Sequence, residues 1–125
     1  MTHNEAYTKL MKRVRQLQKQ EEQVKIESSM YRLSDPDDIT GLTVLNEYDF
    51  ERIDILENIS KVLGKICELN IAKYLLTDAA RTRNHIRYTI NAHKSICKDR
   101  ENRIRQIEME TNTKSKVIPI FRSAM

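Results

Sequence analysis

Arg83, Arg87, Asn91 and Lys94 follow one another at spacings of four, four and three. On a helix that spacing places all four on one face. Arg81, His85 and Tyr88 form an adjoining strip. Arginine presents a planar fork of donors that matches phosphate oxygens, and lysine adds a point charge. Tyrosine and histidine rings can stack on a base, and asparagine can read a base edge or a ribose hydroxyl. Together, Arg81, Arg83, His85, Arg87, Tyr88, Asn91 and Lys94 hold the parts of an anion or nucleotide site. A plainer reading competes with this one. Asp35, Asp37, Asp38, Glu47, Asp49, Glu51 and Asp54 make the middle of the chain acidic. The acidic and basic segments could simply attract each other, at about 0–1 kcal/mol for each exposed pair.

Other chemistry finds less support. His93 and Cys97 share a helix face, but two ligands fall short of the four of a structural metal site. His85 and His93 are eight apart and point about 80° away from each other on a helix. Gly41 and Gly64 stand alone, so no glycine-rich phosphate loop is present. No serine or cysteine lies in a recognisable nucleophile motif. Asp37 and Asp38 read as turn residues. The expectation is a protein without catalytic residues, metal or cofactor. Arginines meeting between subunits would be the one route to an active site.

The chain of 125 residues has two Gly and two Pro, too few for the many turns of a β-fold. Charged residues are 32%, aromatics 6%, and Trp is lacking, a profile of long helices. So few aromatics in so small a chain bury a thin core, which implies completion by self-association. The net charge of +4 is modest and allows an acidic partner without requiring nucleic acid. Cys67 and Cys97 fit free thiols in a reducing compartment. No run approaches the ~18 apolar residues of a membrane span. The opening residues lack the apolar stretch of a signal peptide. A cytoplasmic location, of a cell or an infected host cell, is the expectation.

Periodicity predicts helices over about 4–28, 47–76 and 78–110, with a loop at 32–46. Tyr7, Leu10, Val14, Leu17 and Val24 form a coiled-coil-like seam interrupted by Glu21. Ser34-Asp35-Pro36-Asp37-Asp38 carries turn chemistry, and Asn46 reads as the cap of the second helix. That helix has a broad apolar face. Phe50, Ile53, Leu56, Ile59, Leu63 and Ile66 form one stripe, with Ile55, Val62, Leu69 and Leu76 beside it. A face that wide meets two neighbours, so this is the central helix. Asn70 falls on the stripe, and Gly64 sits mid-helix. A turn near Thr77 is expected, giving an antiparallel pair. In the third helix His93 and Arg100 interrupt the seam of Ile86, Ile90, Cys97, Ile104 and Ile107, and His93 reads as a packing residue. Residues 111–125 read as a polar linker and an extended apolar tail, with Pro119 opposing helix and the tail docking in a groove.

The order of elements resembles the septicolysin-like family of small helical proteins. The resemblance rests on the opening EAYTKLMKRVRQLQKQ, the Leu69-Asn70 end of the core helix, and TDAARTRNHI entering the next helix, about half of the chain. It implies a helical oligomer and carries over no functional residue.

The sequence therefore points to an all-α single domain, residues 1–110, of long antiparallel helices with coiled-coil-like packing. It is either a helical hairpin or a three-helix bundle, completed by homo-oligomerisation. The leading function is non-catalytic binding, with a phosphate-bearing, nucleotide-like small molecule sequestered between helices or subunits. A nucleic-acid accessory protein and a protein–protein adaptor are the alternatives.

Overall fold

A computed structural model describes the backbone of residues 1–124 and the side chains of residues 1–111. Among the described residues it is built from α1 (His3–Met30), α2 (Ile39–Cys67) and α3 (Lys73–Ala124). The all-α class and the three long helices agree with the periodicity. The loops at 31–38 and 68–72 are short, and they return the chain twice. Consequently α2 runs antiparallel to both neighbours, while α1 and α3 flank it.

The core follows the stripes. Val14, Leu17 and Val24 from α1 meet Ile53, Leu56, Ile59, Leu63 and Ile66 from α2. Ala79, Ile86, Ile90 and Cys97 close it from α3. Ile66 is 0% exposed and Ile59 1%, so α2 is covered toward its C-terminal end. Glu21, the polar position in the α1 seam, accepts from Arg52 Nε at 3.0 Å and Nη2 at 2.7 Å. Both side chains are about 15% exposed. The seam thus stays closed around an ion pair rather than an apolar contact.

Three boundaries differ from the periodicity. The second helix begins at Ile39, seven residues before Asn46, with Asp38 as its cap. Asp38 Oδ1 accepts from the Gly41 N–H at 2.9 Å. Its Oδ2 accepts from Ser34 Oγ at 3.0 Å and from the Ser34 N–H at 3.3 Å. Gly41 is required by this packing: a Cβ there would lie 2.5 Å from Asp38 Oδ2 and 2.6 Å from Leu33 Cδ2. The pieces Leu42, Val44 and Leu45 therefore belong to helix, and Asn46 lies buried inside it.

The turn expected at Thr77 lies instead at 68–72. Thr77 is inside α3, donating its hydroxyl to the Lys73 carbonyl at 3.0 Å. Turning early lets Leu75 and Ala79 reach the crevice they share with Tyr7, Met11 and Val14 of α1. Asn70 is in this turn, not on a buried stripe, and its N–H donates to His3 Nδ1 at 2.8 Å. That bond ties the start of α1 to the α2–α3 turn.

Finally, the backbone of α3 is helical to Ala124, through the stretch expected to be linker and extended tail. No Gly or Pro breaks the chain between Thr111 and Lys116, so the helix has no local stop there. The expected docking of Val117–Phe121 concerns side chains outside the described residues. At 52 residues, α3 is about 78 Å long, against about 43 Å for the 29 residues of α2. It overhangs its neighbours at the C-terminal end. No helix among the described residues is long and apolar enough to cross a membrane.

The Asp38 cap generates a pH prediction. Backbone N–H donation from Gly41, then bonds from Ser34, hold its carboxyl below the usual 3.8. A group depressed in the folded state stabilises above its unfolded value and loses that contribution as pH falls through the folded one. Stability should therefore decline below about pH 4. Asp38→Asn, which keeps a capping oxygen but does not titrate, should flatten the melting temperature against pH between about 4 and 2. A slope unchanged from wild type would contradict this.

Candidate functional site between α2 and α3

The facing sides of α2 and α3 hold two polar assemblies, one closed and one open. The closed one surrounds Asp49, whose side chain is 6% exposed. Arg100 bonds Asp49 Oδ2 directly. It also donates to Asn46 Oδ1 at 3.3 Å. Asn46 Nδ2 in turn donates to the Cys97 carbonyl at 3.1 Å. His93 Nδ1 lies 3.0 Å from Asp49 Oδ1, a charged pair only when the imidazole is protonated. Its geometry does not satisfy a hydrogen bond. The two polar interruptions of the α3 seam, His93 and Arg100, are therefore answered by Asn46 and Asp49 of α2. His93 packs inward, as its seam position implies. Burial, and then the charge of Asp49, push the neighbouring Cys97 thiol above its usual value of 9.0. A protonated buried thiol is a poor nucleophile. Among the described residues no group of three metal-binding side chains converges.

The open assembly lies one to three turns away, toward the α2–α3 turn. Glu57, Ser60 and Lys61 of α2 and Arg87, Ile90 and Asn91 of α3 line a groove of about 380 Å³. It exists because α2 carries small residues here. Ser60 and Gly64 are four apart on the α3-facing side, where larger side chains would fill the space. Arg83 leans into the room they leave. Its Nε donates to Ser60 Oγ at a long 3.4 Å. A Cβ on Gly64 would come 3.0 Å from the Arg83 guanidinium carbon. Lys94 Nζ sits 3.3 Å from Glu57 Oε1. Neither Lys61 nor Arg87 has an ion-pair partner among the described residues.

The expected face therefore divides. Arg83, Arg87, Asn91 and Lys94 all lie toward α2, but only Arg87 and Asn91 line the groove, while Arg83 and Lys94 meet its wall residues Ser60 and Glu57. Arg81, His85 and Tyr88 are exposed, and none lines it. Arg81 is 4.0 Å from Asp78, one turn back on the same helix. Tyr88 is 75% exposed. The acidic segment does pair with α3, but not through the expected face. Asp37 pairs with Arg103, Asp49 with Arg100, and Glu57 with Lys94. Lys94 is met by a carboxylate outside that segment, and Arg87 and Asn91 are left without a charged partner among the described residues.

Glu57, Ser60 and Lys61 are the lining residues that sequence reasoning missed. The signal was a small-residue pair, Ser60 and Gly64, beside the main apolar stripe. Its meaning depends on what α3 places opposite. Comparison of the chain with family models, with curated proteins and with solved structures finds no match.

Two stability outcomes follow. Asp49→Ala leaves the Arg100 guanidinium without its carboxylate in a mostly buried site, which should cost about 3–5 kcal/mol by urea denaturation. Asp49→Asn, which keeps an acceptor, should cost less. If the alanine variant matches wild type, the Asp49 cluster does not hold α2 to α3. Gly64→Ala gains up to about 1 kcal/mol of helix propensity but crowds the Arg83 guanidinium. Its stabilisation should therefore be larger in an Arg83→Ala background than in wild type, a coupling read from a double-mutant cycle.

Proposed function

We propose that this protein is a non-catalytic binding protein whose α2–α3 groove takes a phosphate-bearing, nucleotide-like small molecule. The observation that carries the reading is the pair Lys61 and Arg87, two cations with no ion-pair partner among the described residues, on opposite walls of one groove. Ser60 and Asn91 add neutral donors between them, and Ile90 gives an apolar surface. Arg87 supplies the planar fork and Lys61 the point charge, a combination suited to a phosphate group. Nothing in the groove resembles a nucleophile with its base, which favours binding over turnover.

Self-association belongs to the same proposal. Ile26, Phe50 and Ile96 are each 41–49% exposed, more apolar surface than a thin three-helix core conceals. A second copy would cover such residues and could deepen the groove. Nucleic acid is the second reading, favoured by the outer face of α3, where Tyr74, Arg81 and Tyr88 recur every seventh residue and are all exposed. Aromatic and basic groups in that order suit stacking with a single strand. That binding would weaken steeply with salt, and Arg81 and Tyr88, not Arg87, would carry it.

The test is a thermal-shift panel of nucleotides followed by titration calorimetry. A ligand that binds only the folded state raises the melting temperature. Arg87→Ala and Lys61→Ala should each weaken binding about 10- to 100-fold, the usual value of one charged hydrogen bond. Neither should change the melting temperature without ligand, because both side chains are exposed. No shift with any member of the panel would sink the phosphate reading.

A further inference from the structure

The feature of the groove that a simple phosphate site does not explain is Glu57. A carboxylate beside Lys61 and Arg87 repels a bare anion. Yet Glu57 lines the groove itself, and its side chain is 44% exposed. Lys94 Nζ lies 3.3 Å from its Oε1. No described hydrogen bond uses Oε2, and both oxygens keep free lone pairs.

Resting on the phosphate reading, we propose that Glu57 is the specificity-determining residue of this groove, and that it selects a pentose phosphate by accepting hydrogen bonds from a vicinal diol. A carboxylate has two oxygens in a plane, and two adjacent hydroxyls can donate to both. A carboxylate serves the ribose in the same way in dinucleotide-binding folds. The spacing fits. Glu57 and Lys61 are four residues apart on α2, about 6 Å along its axis. That is the scale separating the hydroxyl edge of a pentose from the phosphate on its far carbon. Opposite them, Arg87 and Asn91 are also four apart, so each end of the ligand meets one residue from each helix. The phosphate lies between Lys61 and Arg87, the diol between Glu57 and Asn91, and the sugar over Ile90.

Lys94, 3.3 Å from Oε1, restrains the Glu57 carboxylate at this end of the groove. An ionised carboxylate can only accept, so a ligand must bring donors to that end. A polyphosphate brings none and meets like charge. Discrimination therefore works in both directions: the diol is favoured and the bare polyanion is rejected.

Titration calorimetry on the full chain separates the possibilities with four probes: adenosine monophosphate, its dideoxy analogue lacking both hydroxyls, ribose phosphate and pyrophosphate. Adenosine monophosphate and ribose phosphate should bind. The dideoxy analogue should bind at least tenfold more weakly, and pyrophosphate more weakly still. Glu57→Gln should lower affinity for adenosine monophosphate and raise it for pyrophosphate by about tenfold, reversing part of the preference. The exchange is at the surface, so a melting temperature near wild type verifies folding. If the dideoxy analogue binds as well as the ribonucleotide, or Glu57→Gln leaves the preference unchanged, the phosphate site stands and the role of Glu57 falls. If no probe binds, the phosphate site falls with it.

Discussion

The bond between Asp49 and Arg100 is the constraint on which the α2–α3 pairing turns. A carboxylate that is 6% exposed is tolerated only when it is compensated. A one-residue slide of α3 would carry Arg100 away from Asp49 and Asn46 together. Apolar seams tolerate such slides better, because isoleucine against isoleucine is much the same one turn on. The polar cluster therefore sets register, the best-attested use of buried polar groups between helices. Asn46 strengthens it by reaching the Cys97 carbonyl, tying side chain to backbone across the interface.

With register set, the groove follows. The same alignment that joins Asp49 to Arg100 brings Ser60 and Gly64 opposite Arg83 and Arg87. Small residues on one helix then face long cationic ones on the other, and the gap stays open rather than collapsing. Closed and open assemblies are thus one device. The first commits Asp49 of α2 to Arg100, and Asp37 in the loop before α2 pairs with Arg103. The second leaves Lys61 and Arg87 unneutralised farther along. The modest total charge hides this separation, because charges that cancel in the sum are unevenly placed along one interface.

Much of this was readable in the linear chain. The stripes of Val14, Leu17, Ile59, Leu63 and Ile86 name the core residues directly, since helical spacing and apolarity suffice to define a face. The cap at Asp38 was harder. Asn46 followed by acidic residues is an equally good local signal, but the helix that starts at Ile39 buries Leu42 and turns Asn46 onto the Cys97 carbonyl instead. The turn failed for a similar reason. Thr77-Asp78 has good capping chemistry, while 68–72 has little, yet turning at 68–72 brings Leu75 and Ala79 to the crevice they share with Tyr7, Met11 and Val14 of α1. Local capping differences of about 1 kcal/mol are smaller than the burial of a leucine, roughly 2 kcal/mol.

The sequence by itself determined the helical class, the central place of α2 and the polar face from Arg83 to Lys94. Each of these depends on residues close together in the chain. Only the tertiary structure decided which cations are neutralised and which are left over. Lys94 meets Glu57, Arg83 rests on Ser60, and Arg87 faces Lys61 across open space, all between residues more than 20 positions apart. Pairing at that distance depends on the register of two helices, and register comes from the packed interface rather than from either strand of sequence.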